Sequence, residues 1–79
     1  MDILYIGSSG RDDPVKAALP FHIAVNGSLE RGDSARIVLA GDATDLLLNG
    51  AVESLEPVGL PALRELVAKA RHHQVPVYV

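Results

Sequence analysis

Apolar residues fall into three short unbroken runs and two longer stretches with helical spacing, and these alternate along the chain. Residues 3–6, Ile3-Leu4-Tyr5-Ile6, form the first run. A run without polar alternation predicts a strand buried on both faces of a parallel sheet. Residues 35–40 (ARIVLA) and 75–79 (VPVYV) predict a second and a third strand of the same kind. Pro76 removes one ladder donor, so full pairing of the third strand is expected only beyond it. Between the first two runs lies Gly7-Ser8-Ser9-Gly10, a break of small residues, followed by Asp12, Asp13 and Pro14. A side-chain oxygen at the cap position with proline at the first helical position marks a helix start, because proline has no N–H to leave unpaired there.

The first helix is expected over residues 14–31. Its first half is apolar almost all round, with Val15, Ala17, Ala18, Leu19, Phe21, Ile23, Ala24 and Val25. Such a helix is buried on more than one side, by the sheet and by a second subunit. Pro20 should kink it, or divide it into two helices meeting at Leu19. Its second half turns polar, and Gly32 is placed for the left-handed residue past its end. Gly41-Asp42 ends the second strand, and Asp42 can cap a short helix over residues 43–49 with Gly50 as its stop. Residues 51–55 read as a further helical turn or as loop. Pro57, Gly59 and Pro61 punctuate the approach to a last helix over residues 61–73. That helix carries Leu63, Leu66, Val67 and Ala70 on one stripe, with Glu65 and Lys69 spaced to pair on its outer face. The order is βαβ(α)αβ, with right-handed crossovers. In open sheets of this kind the ligand crevice lies outside the carboxyl ends of the strands.

Composition narrows the partners. The chain has 79 residues, a net charge of −3 and no cysteine. One domain is the most this length holds, and such a domain buries only roughly 60% of its unfolded surface. There is no basic cluster, and Tyr5, Phe21 and Tyr78 are the only aromatics, so a nucleic acid is a poor partner. No apolar run approaches a membrane span, and the N-terminus has no basic leader pattern. Together with the missing cysteines this predicts a soluble, cytoplasmic protein.

The opening ILYIGSSGRDDP, the helix ALPFHIA, the strand and loop IVLAGDATDLL and the closing VGLPALRELVAKARHHQVPVYV together resemble the small DsrE-like (YchN-like) proteins of sulfur relay. The resemblance spans almost the whole chain. It implies a three-layer α/β/α sandwich on a parallel sheet, assembly into trimers or hexamers, and a sulfur-carrier protein as partner. Relatives active in sulfur transfer hold a persulfide on a cysteine directly after the third strand, a position just past Val79. A persulfide needs a thiolate, and these residues hold none. The expectation is therefore a stretch of a longer protein, incomplete at its C-terminus, with a member inactive in sulfur transfer as the alternative.

The candidate ligand crevice consists of Gly7, Ser8, Ser9 and Asp42, at the predicted carboxyl ends of the first two strands. The Gly7 to Gly10 loop can be an anion cradle at a helix N-terminus, or a plain turn, since Asp12 and Asp13 would repel phosphate. Asp42 can line the crevice or cap its own helix. His22 can be a buried or interface residue, or a proton shuttle for a nearby thiol. Ser8, His22 and Asp42 do not make a nucleophilic triad, because no G-x-S-x-G elbow exists. His72 and His73 point about 100° apart on a helix and do not chelate one metal. No catalytic residue, cofactor or metal is expected; a non-catalytic binding or scaffolding module is the alternative function.

Overall fold

The computed structural model describes residues 1–48 and 50–79. Strands β1 (Asp2–Gly7), β2 (Ser34–Leu39) and β3 (Val77–Tyr78) form one parallel sheet in the order β1-β2-β3. β1 pairs with β2 along its whole length, from Asp2 opposite Ser34 to Gly7 opposite Leu39. β3 adds only Val77 and Tyr78, opposite Ile37 and Val38. Pairing thus begins after Pro76, which still contributes its carbonyl to the N–H of Ile37. The chain is a small parallel α/β fold.

Helix α1 (Pro14–Ile23) begins where the Asp-Asp-Pro signal puts it. Asp13 is the cap, and its Oδ1 accepts from the N–H of Lys16 at 3.2 Å. The helix runs through Pro20 instead of dividing at Leu19. It widens into a π turn (Ala24–Ser28), tightens into a 3₁₀ turn (Leu29–Arg31), and so covers the whole of the expected residues 14–31. Gly32 stops it with φ 85°. The N–H of Gly32 donates to Leu29 and that of Asp33 to Ser28, the paired bonds of a Schellman ending.

After β2 come a 3₁₀ turn (Gly41–Thr44), the four-residue α2 (Asp45–Leu48) and a further 3₁₀ turn (Ala51–Glu53). Residue 49, the expected last residue of the short helix, lies outside the described residues. Asp42 does not cap this segment: Ala40 occupies the cap position, and no side chain bonds there. The hydroxyl of Thr44 instead donates back to the Gly41 carbonyl at 2.8 Å, which holds the turn without Asp42.

Helix α3 (Leu63–His72) starts two residues later than its Pro61 signal, with Ala62 in the cap position. Its buried residues are Leu63, Leu66, Val67 and Ala70, the stripe read from the sequence. Lys69 does not pair with Glu65 on the outer face. Its ammonium reaches across to the side-chain oxygen of Asn26 and to Glu30 at 3.2 Å, because the π and 3₁₀ turns bring those acceptors alongside α3. The helix ends on a second Schellman pair, Gln74 to Arg71 and Val75 to Ala70, with Gln74 in the left-handed region at φ 59°.

The core lies between one face of the sheet and the two helices. Phe21 from α1, Val25 from the π turn, Ile37 and Leu39 from β2, Leu46 from α2, and Leu63 and Leu66 from α3 are its largest buried side chains. Each such side chain contributes about 1.5–3 kcal/mol by leaving water. Tyr5 reaches over this face and exchanges a hydrogen bond with the buried Ser28. Strands in sequence order with crossovers of one hand put both helices on the same face, and α1 and α3 touch. The other face is bare. Leu4 is 56% exposed, Ile6 65% and Tyr78 53%, so β1 is buried on one face rather than on the two its apolar run predicts. The described residues build two layers.

Candidate functional site

The carboxyl ends of β1 and β2 meet at one rim, formed by the loop after Gly7 and the turn after Ala40. The N–H of Ala40 donates to the Gly7 carbonyl at 2.9 Å, so the ladder runs to the edge of the rim. Neither Gly7 nor Gly10 has a positive φ. Both are glycine for space. An added Cβ on Gly7 would lie 3.3 Å from Leu39 and from the Pro20 ring, and on Gly10 it would collide with the carbonyl oxygen of Asp42. Gly41, by contrast, needs its freedom, at φ 56°. The two loops therefore pack backbone to backbone, with Gly10 buried between them.

An open cleft of about 490 Å³ lies on this contact, lined by Gly10, Arg11, Asp12, Gly41, Asp42, Thr44 and Asp45. Arg11 Nε donates to Asp45 Oδ2 at 2.6 Å and ties the first loop to the start of α2. Asp12 Oδ1 accepts from the N–H of Gly10 at 3.2 Å. In the first turn of α1, Pro14 has no N–H to offer. The N–H groups of Asp13, Lys16 and Ala17 donate to Gly10, to the Asp13 carboxylate and to the Asp13 carbonyl. These three donors are taken up within the loop and the first turn, as a helix cap requires. The cleft offers three carboxylates, one of them neutralised by Arg11, and one hydroxyl turned to a carbonyl. It contains no hydroxyl or thiol held against a base.

Of the expected crevice residues, Asp42 is exposed and lines this cleft. Gly7 is buried beneath the rim. Ser8 is exposed and Ser9 half-buried on the flank of the cleft, outside its lining. Arg11, Thr44 and Asp45 do line it and were not singled out in the sequence. Their one sequence signal was opposite charge, Arg11 and Asp45, in the two segments that follow the first two strands.

His22 stands apart from the rim. It lies eight residues into α1, about 12 Å along the axis from Pro14, and its Nδ1 sits 3.1 Å from Asn26 Nδ2. Because Asn26 turns its oxygen to the Lys69 ammonium, its amide N–H faces the histidine, which accepts. His22, Asn26, Lys69 and Glu30 thus form one polar chain between α1 and α3, away from the place where a thiol at the rim would need a proton shuttle. His72 and His73 are exposed and meet edge to face with ring centroids 5.2 Å apart. Among the described residues no group of three or more histidine, aspartate or glutamate side chains is placed to hold a metal ion. No helix of the described residues is long and apolar enough to cross a membrane.

Comparison with protein-family models, with curated proteins and with solved structures gives no match to the chain.

Proposed function

We propose that the chain is a DsrE-like module of intracellular sulfur transfer that takes part as a homo-oligomer and presents its rim to a sulfur-carrier partner. The observation that carries this is the strand order. Three parallel strands, adjacent in sequence order, all end on one side of the sheet, so a residue following β3 would join the rim beside Ser8, Ser9 and Asp42. That is where the resemblance puts the persulfide cysteine of relay proteins. These 79 residues contain no thiol, so within them the part played is binding and support, not the covalent step. The cleft at the rim fits that part, with polar groups to orient a partner and nothing activated for attack.

A non-catalytic binding or scaffolding module is the second reading, favoured by a cleft of carboxylates in which no hydroxyl is held against a base. Intact mass of the natural protein, denatured and reduced, with and without thiol alkylation, distinguishes the two. A chain heavier than 79 residues that gains alkyl groups supports the sulfur relay. A cysteine-free chain of the mass of these residues overturns it in favour of the binding module.

A further inference from the structure

A second hollow, of about 250 Å³, lies against the core on the side of the molecule away from β1, between α1, α2, α3 and the outer edge of the sheet. Its walls are Phe21, Leu47, Val67, Val75 and Val77, and its one charged lining residue is Arg71. Phe21 is fully buried beneath the floor, Val67 and Val75 are each 8% exposed, and Leu47 and Val77 are half-buried, so this is a recess at the edge of the core, opened mainly by Leu47 and Val77. Leu47, Val67 and Arg71 also face a broader, more polar hollow of about 500 Å³ between α3 and the turn at Ala51–Glu53. The small hollow therefore has a wide vestibule, and the exposed Arg71 stands where the two join.

We propose that this hollow binds a small amphipathic monocarboxylate, with its hydrocarbon end against Leu47, Val67, Val75 and Val77, above the buried Phe21, and its carboxylate on Arg71. Volume, wall chemistry and charge fix the class. The volume lies below the roughly 300–1,000 Å³ of sites for drug-sized ligands, which excludes nucleotides and leaves a short chain or a single ring. The walls are aliphatic or aromatic, so the buried part is hydrocarbon. Arg11, Arg31 and Arg64 each pair with a carboxylate of this chain. Among the described residues Arg71 has no such partner, and its guanidinium is free to take a carboxylate in the two-pronged geometry that arginine favours. Glu53 and Glu65 line the vestibule. Arg64 lines it too, but its guanidinium is paired with Glu56 at 3.2 Å, so the two glutamates disfavour a second negative charge on the ligand.

The test is a titration of the ¹⁵N-labelled protein with sodium hexanoate, followed by amide chemical shifts, with hexan-1-ol as the neutral counterpart. Saturable shifts centred on Phe21, Val67, Val75 and Val77 are expected, with hexanoate binding more tightly than hexanol. In Arg71→Gln the hexanoate affinity should fall roughly fivefold, the upper end for a solvent-touched ion pair, while the hexanol affinity is unchanged. Should that variant fail to fold, the hexanoate-to-hexanol ratio of the unaltered protein decides alone. Equal affinity for acid and alcohol, or no saturable shift, overturns the proposal. So do shifts at Val77 and Tyr78 that follow protein concentration without hexanoate, since a strand from a second copy would then occupy this edge.

Discussion

Gly10 is held where no side chain fits, against the backbone of Asp42. Gly10→Ala should destabilise the protein by about 1–3 kcal/mol, the usual cost of overpacking, as measured by chemical denaturation. An unchanged midpoint would mean that the two rim loops do not touch. Gln74 bears the opposite strain: a side chain at φ 59° in a helix ending that glycine serves best. Gln74→Gly is expected to raise stability by about 0.5–1 kcal/mol, with a matching rise in melting temperature. Gly32, in the equivalent place after the first helix, already has the favoured residue. Asp13→Ala removes the cap bond to Lys16 and should cost about 1 kcal/mol; no loss would show that Pro14 alone starts the helix.

At the scale of elements, the helix starts, stops and buried stripe mostly read true, while the Asp42 cap and the side-chain pairings did not. Asp13-Pro14, Gly32 and the Leu63, Leu66, Val67, Ala70 stripe each act within a turn or two of the backbone, and each was legible in the sequence. The whole helical span from Pro14 was legible for the same reason. The Glu65 and Lys69 pair failed because Lys69 has better acceptors on another element, Asn26 and Glu30, and spacing within one helix carries no information about a neighbour. The Arg11 and Asp45 bridge escaped notice for the same reason, as did the contact of Gly10 with Asp42. A glycine needed for room looks, in a sequence, the same as one needed for its backbone angle. Asn26 is the joint between α1 and α3. Asn26→Ala, which breaks both of its side-chain bonds, should lower stability by about 1 kcal/mol in denaturation experiments. Stability unchanged in that variant would show that the polar chain between the helices contributes nothing.

The whole molecule is a slab with apolar residues on both outer surfaces. One side is the bare sheet face of Leu4, Ile6 and Tyr78. On α1, Val15, Leu19 and Ile23 remain 38%, 37% and 43% exposed at a four-residue spacing, a stripe pointing away from the core. The strand runs alone suggested burial on two faces. Among the described residues the second face has no cover, because both helices lie on the first. Covering such surfaces is the physical reason for the proposed homo-oligomer, since uncovered apolar patches of this kind mark interaction sites. Leu19→Asp, which puts a charge in the middle of the helix stripe, should shift the protein toward the monomer without a loss of helical content by circular dichroism.

Sedimentation velocity of the protein at micromolar concentration asks whether those surfaces are covered by further copies. A trimer or hexamer is the expected species. A single stable boundary at the mass of one copy, 8.4 kDa for these 79 residues, would contradict the assembly, and with it the DsrE-like module proposed for this fold.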